Sequence, residues 1–132
     1  MRKERKMKGF TLVELLIVLL ILGILIGLAV PRYLQALDKS KETTFCSNVR
    51  SIVSAIETWR MDTGTTAYPA TATALNTNII NSATYFSQPP MNPYTNATLT
   101  AIETDPANKG DFQYKAANGT YTASTNPDCK LK

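Results

Sequence analysis

Histidine is absent from the 132 residues, and cysteine occurs only twice. Without an imidazole, neither a Ser/His nor a Cys/His nucleophilic centre can be assembled, and zinc loses its usual nitrogen ligand. The two cysteines, Cys46 and Cys129, stand far apart and form no Cys-x-x-Cys pair. No glycine-rich phosphate loop occurs, and the carboxylates follow no catalytic spacing. An enzyme is therefore not expected, and neither is a bound cofactor or a metal centre. Aromatic residues make up 8% of the chain. Tyr33 and Trp59 are too isolated to form an electron path and read as packing residues.

Excess charge is also missing from most of the chain. Residues 1–9 hold Arg2, Lys3, Arg5, Lys6 and Lys8 against Glu4, while Phe10 to Lys132 carries nine basic and nine acidic side chains. The formal net charge of +4 thus belongs to the amino-terminal segment. Beyond it, Lys109, Lys115, Lys130 and Lys132 are scattered. A nucleic-acid surface needs a basic stripe, so DNA is not an expected partner, and a DNA-uptake role is the least supported reading.

An apolar run extends from Phe10 to Val30, 21 residues or about 31 Å as a helix, enough to cross a hydrocarbon core. The basic cluster before it stays cytoplasmic by the positive-inside rule, which leaves everything after the run outside. One residue breaks the apolar pattern. Glu14 places a carboxylate where translocon-type scales charge roughly 3 kcal/mol for a central acidic residue, so a nearby cation is favoured. Cutting the Gly9–Phe10 bond creates an amine four residues from Glu14. In a bundle of such helices, one subunit's amine then meets its neighbour's carboxylate. A conventional signal peptide ending at Gly27-Leu28-Ala29, or a permanent single-span anchor, gives Glu14 no use.

The stretch Gly9-Phe10-Thr11-Leu12-Val13-Glu14, followed by the long apolar run, resembles the prepilin signature of type IV pilins and type II secretion pseudopilins. The resemblance is close from Lys8 to about Pro31 and looser along a helix up to Arg60. It implies cleavage between Gly9 and Phe10 by a membrane prepilin peptidase, N-methylation of Phe10, and an assembly role for Glu14. It also implies a subunit that waits in the bacterial inner membrane and is then polymerised by pilus assembly machinery into a homo-oligomeric helical filament at the cell surface. A major-type type IV pilin is the first reading and a type II secretion major pseudopilin the alternative. Gly23 and Gly27 form a Gly-x-x-x-Gly spacing, and Pro31 removes the donor to the Gly27 carbonyl, which weakens the helix locally. By the same resemblance, Gly23 to Pro31 is a place where a subunit can lengthen in a filament. A gentle kink is the simpler reading.

After Pro31 the pattern turns amphipathic. Phe45, Val49, Ile52, Val53 and Ile56 share one helix face, and Gly64 after Asp62-Thr63 is a stop signal. One helix is expected from about Thr11 to Met61. The Thr-, Ala- and Asn-rich segment from Thr65 to Gln88 reads as a surface loop with a helical turn. Pro89 to Asn96 reads as a tight, solvent-facing connection. Leu99 to Thr104 alternates like a strand. Asp111–Ala116 and Tyr121–Ser124 flank Asn118-Gly119, the preferred pair of a type I′ hairpin. That turn pairs Ala116 with Tyr121 and Tyr114 with Ala123, and puts Phe112, Tyr114, Tyr121 and Ala123 on one face.

The expected architecture is α+β and type IV pilin-like, a long amino-terminal helix packed on a small antiparallel sheet. Its divisions are a leader at 1–9, a membrane and assembly helix at 10–31, and a globular head at 32–132. The head comprises helix 32–61, loop 62–98, sheet 99–125 and a carboxyl-terminal tail. Outside a membrane, Cys46 and Cys129 are expected to bond and tie that tail to the helix. Asp105, Asp111 and Asp128 are neighbours in sequence and admit a calcium site, with solvated turns as the plainer reading. Asn96-Ala97-Thr98 and Asn118-Gly119-Thr120 fit the glycosylation triplet, the second being better explained as a turn.

Overall fold

The computed structural model describes residues 9–131. The basic leader up to Lys8 lies outside the described residues, as does Lys132. The chain divides into two compact units, one ending at Asp38 and one beginning at Lys39.

The first unit is helical. Helix α1 (Leu12–Thr63) begins here and includes Pro31 without interruption. Every large apolar side chain from Phe10 to Leu37 is exposed, the least of them, Leu37, at 41%. From Leu15 to Val30 no polar side chain is interleaved, so the apolar surface runs around the whole helix and water does not cover it favourably. The segment is long and apolar enough to cross a membrane.

The second unit has its own core. Phe45, Cys46, Val49, Ile52, Ala55 and Ile56 form the buried face of α1, one stripe at helical spacing. Thr63 is its last residue, and Gly64 follows at φ +62 with its N–H on the Met61 carbonyl at 3.3 Å. A left-handed residue after the last turn closes the helix, which a side chain with a Cβ does less readily.

The segment expected as a surface loop contributes to the core instead. Helix α2 (Ala72–Leu75) runs into a π-helical turn, Asn76–Ile80, and Ala72, Leu75, Ile79 and Ile80 are buried. Thr71 caps α2 by accepting from the Ala74 N–H at 3.1 Å. The wide π turn brings the adjacent Ile79 and Ile80 both inward, a pairing that a regular helical period does not anticipate.

Strands β1 (Met91–Asn92) and β2 (Ala97–Thr98) make a short antiparallel hairpin. It corrects the expectation of a wholly solvent-facing connection. Asn92 is buried, donates to the Gly110 carbonyl at 2.9 Å and accepts from the Tyr94 N–H at 3.0 Å. Tyr94 meets Phe45 edge-on, with ring centroids 5.8 Å apart.

The main sheet has the order β3–β4–β5, with β3 (Ala101–Ile102), β4 (Asp111–Ala117) and β5 (Thr120–Asn126). Strands β4 and β5 are antiparallel in the register that the Asn118-Gly119 turn implies, with Tyr114 opposite Ala123 and Ala116 opposite Tyr121. Strand β3 departs from the expected antiparallel pattern. It pairs with β4 in parallel and for two residues only. Asn76 closes the other edge of β3: its side chain donates to the Ala101 carbonyl at 3.0 Å and accepts from the Ala101 N–H at 2.7 Å. Backbone groups that another strand would take are satisfied by this amide. Phe112 and Tyr114 project from β4 into the core against the α1 stripe, and Tyr114 donates to the Pro69 carbonyl at 2.7 Å.

Candidate assembly site

Phe10, Thr11 and Glu14 lie at the start of α1. Thr11 precedes the helix, and its hydroxyl accepts from the Glu14 N–H at 3.2 Å. The Glu14 carboxylate reaches back to the Thr11 N–H at 3.0 Å. Two amides that have no partner inside the helix are thereby satisfied reciprocally, the arrangement called a capping box. Its signature, Thr-x-x-Glu, is legible at Thr11 to Glu14. Glu14 therefore has work to do in a single subunit: it orders the first turn, and its negative charge complements the positive end of the helix dipole. The Phe10 side chain is 86% exposed beside it.

Gly23, Gly27 and Pro31 lie farther along α1 and are not brought to Glu14. A Cβ placed on either glycine meets nothing within 4 Å, so neither is demanded by packing inside one subunit. A smooth backbone surface at these positions is available to a neighbouring helix.

In the second unit the structure joins Cys46 to Cys129, with Cα atoms 5.3 Å apart. The junction is reinforced by hydrogen bonds. Arg50 Nη2 donates to the Cys129 carbonyl at 3.1 Å, and the Cys129 N–H donates to Thr125 Oγ1 at 2.9 Å. The carboxyl-terminal tail is thus held to α1 by the disulfide and the Arg50 bond, and to β5 by the bond to Thr125.

The three aspartates do not gather. Asp105 accepts from Gln113 Nε2 at 2.8 Å, Asp111 from the Asn108 N–H at 2.7 Å and Asp128 from the Lys130 N–H at 2.9 Å. Among the described residues no three metal-ligating side chains converge. Asp111 and Asp128 act as local turn partners, and Asp105 bonds to a β4 side chain. Asn96 and Asn118 both sit in turns at positive φ, +54 and +53. Lys115 stands 3.8 Å from Asp105, which removes it from any basic stripe.

Sequence reasoning missed a cluster on the flank of α1. Tyr68 OH donates to Glu57 Oε1 at 3.1 Å and accepts from Arg60 Nη1 at 2.9 Å, while Arg60 Nη2 and Glu57 Oε2 are 3.4 Å apart. The Arg60 guanidinium also lies over the Tyr68 ring, 4.9 Å from its centroid. The ring of Tyr121 meets that of Tyr68 edge-on at 4.7 Å and stacks with that of Tyr114 at 5.4 Å. Burial raises the Tyr121 phenol above its ordinary value, and Glu57 and Tyr68 add to the effect while Arg60 opposes it. The helical spacing of Glu57 and Arg60 offered a signal for the ion pair, but Tyr68 comes from a loop and gave none.

Residues 5–30 match the family described as the prokaryotic N-terminal methylation motif. The chain is 36% identical over 73 residues to the type II secretion system core protein G of Pseudomonas aeruginosa, covering 55% of this chain and 50% of the relative. To core protein G of Aeromonas hydrophila it is 30% identical over 87 residues, 66% of this chain and 59% of the relative. To the type IV major fimbrial protein FimA of Dichelobacter nodosus it is 42% identical over 55 residues, 42% of this chain and 35% of the relative. The chain spans about half the length of the curated relatives it matches. No solved structure is a significant match.

Proposed function

We propose that this chain, a member of the pilin and pseudopilin family, is a filament subunit polymerised through the apolar half of α1. The observation that carries the reading is the uncovered apolar surface from Phe10 to Leu37, which begins with a carboxylate. Lipid accommodates that surface in a precursor anchored in the inner membrane with its basic leader inside. Other copies accommodate it in a filament. A prepilin peptidase cuts between Gly9 and Phe10, and the new Phe10 amine, N-methylated, becomes the cation for a neighbour's Glu14. An intermolecular ion pair in a water-poor helix bundle requires both charges to be matched, which favours a fixed stagger between subunits. Gly23, Gly27 and Pro31 supply close helix approach and a segment that is easily extended during assembly.

A type IV pilus and a type II secretion pseudopilus both fit this chemistry, and both involve the assembly machinery that drives subunits from the membrane. The pseudopilin reading gains from one observation. The 87-residue match to a core protein G is too long to lie within residues 1–63 and so includes residues beyond the end of α1, whereas the 55-residue match to FimA needs no more than the helical region.

Intact-mass measurement of subunits from sheared filaments tests the shared reading. A mature start at Phe10 carrying a methyl group is expected, and Gly9→Val should leave precursor in the membrane. A mature start at Val30 would overturn it. Electron microscopy separates the two filaments: long surface fibres lost on deletion of the gene favour a pilus, and lost protein export without surface fibres favours a pseudopilus.

A further inference from the structure

The second unit leaves two large apolar side chains strongly exposed among the described residues, Met61 at 70% and Met91 at 51%. Met91 stands on the β1–β2 hairpin, in a part of the chain with an unusual composition. No charged residue occurs between Asp62 and Glu103. At ordinary charged content a stretch of that length would hold roughly ten. Depletion of charge marks the centres of protein interfaces, because each buried charge must be desolvated and paired.

A complementary surface lies elsewhere on the same unit. A cleft of about 460 Å³ opens between α1, the β4–β5 hairpin and the tail, walled by Val53, Tyr68, Tyr121 and Leu131 with Glu57 and Arg60 at one side. Glu57 and Arg60 neutralise each other at 3.4 Å, so the cleft presents no net charge to an incoming uncharged surface. The Tyr121 hydroxyl makes no hydrogen bond among the described residues and is available to the backbone of an occupant.

The two surfaces cannot meet within one copy. The Met91 carbonyl is held by Asn48 Nδ2 at 2.7 Å. On a helix of 100° per residue, Asn48 lies roughly 70° to one side of the buried stripe, and Val53, Glu57 and Arg60 lie roughly 50–110° to the other. From Asn48 to Glu57 the helix also advances about 13 Å. A protrusion on one flank and a recess on the opposite, displaced flank make a heterologous contact, the kind that builds an open helical assembly where its rotation does not close into a ring.

The geometry points to a docking of the uncharged β1–β2 hairpin, led by Met91, into the Val53–Tyr68–Tyr121 cleft of a second copy of this chain. This contact rests on the filament reading above and deepens it, since it sets the stagger of neighbouring heads independently of Glu14. Being uncharged, it is insensitive to salt, unlike an ion-paired contact.

The test uses the full chain assembled in cells with a photo-crosslinking benzoylphenylalanine at position 91. Illumination of filaments should join position 91 of one copy to the tryptic peptide 116–130, which contains Tyr121, or to the peptide 51–60 of another copy. Met91→Lys should lower filament yield about tenfold, as expected for an unpaired charge at an interface centre, while leaving the melting temperature of the subunit unchanged. Thr122→Glu, at the cleft rim, should lower it likewise, and the two substitutions together should restore much of the yield. Filaments at wild-type yield from Met91→Lys, or crosslinks that lead from position 91 only to residues that do not line this cleft, would overturn the docking and leave the filament reading intact. A wild-type chain that forms no filament would overturn both.

Discussion

Thr11 and Glu14 hold each other's backbone amides, the carboxylate on the Thr11 N–H at 3.0 Å and the hydroxyl on the Glu14 N–H at 3.2 Å. This relationship changes how an assembly experiment on Glu14 has to be read. A substitution that removes the carboxylate also removes one arm of the capping box, so Glu14→Ala alone does not separate charge from helix order.

Glu14→Gln makes that separation. The amide oxygen of glutamine can still accept from the Thr11 N–H, while the charge is gone. We expect normal cleavage and a membrane-stable subunit for both Glu14→Ala and Glu14→Gln, with filament yield strongly reduced in both. Glu14→Asp should assemble partially. The measurement is sheared-filament yield against membrane-bound mature subunit, and wild-type yield from Glu14→Gln would show that capping, not charge, is what assembly needs.

The Cys46–Cys129 bond closes a separation of 83 residues, for which the chain-entropy model gives about 4–5 kcal/mol. Arg50 and Thr125 continue to hold the tail when the bond is missing. Cys129→Ser is therefore expected to lower the melting temperature clearly without abolishing the fold. Calorimetry with and without reductant checks this, since reductant should lower the parent's melting point to near that of the variant and leave the variant's unchanged.

Tyr114 is buried and its hydroxyl is bonded to Pro69. Desolvation, with smaller contributions from Tyr121 and Tyr68, holds its phenol well above the ordinary 10.0. The folded state thus binds this proton more tightly than the unfolded chain does. The resulting stability is fully present below about pH 10 and is lost as pH rises above it. Tyr114→Phe should cost about 1–2 kcal/mol at neutral pH, because Pro69 loses its donor. Urea titrations at pH 7 and pH 11 should show the gap between the two proteins narrowing at the higher pH.

Gly110 has φ +96, and a Cβ there would stand 2.8 Å from both side-chain polar atoms of Asn92. Asn92 cannot yield without giving up the Gly110 carbonyl. Gly110→Ala should cost about 3 kcal/mol through strain and the disturbed bond. Gly64 also has a positive φ, +62, but nothing lies within 4 Å of its Cβ position, so Gly64→Ala should cost only about 1 kcal/mol. Parallel urea melts distinguish a crowded site from a merely left-handed one.

Local chemistry was enough to read the helix and the main hairpin. The stripe from Phe45 to Ile56 repeats at helical spacing, Gly64 stops the helix, and Asn118-Gly119 leaves a two-residue turn only one register to impose. The capping box at Thr11 and Glu14 is just as local and was legible. Other elements depend on distant partners. Ile79 and Ile80 face inward together because a π turn fits them under the sheet, and Asn92 is buried because Gly110 comes close from 18 residues away.

What the amino-acid sequence by itself determined is therefore the chain's division of labour. It has an apolar helix with one carboxylate at its start, a hydrophilic unit stapled by its two cysteines, and no residues for catalysis through histidine. Tertiary structure alone decided the parallel pairing of β3, where the Asn76 side chain occupies the Ala101 backbone, and the cleft beside Tyr68. Both arise from side chains that meet across long sequence separations. Their energies come from hydrogen-bond satisfaction and ring packing in three dimensions, and no periodicity along the chain encodes such a meeting.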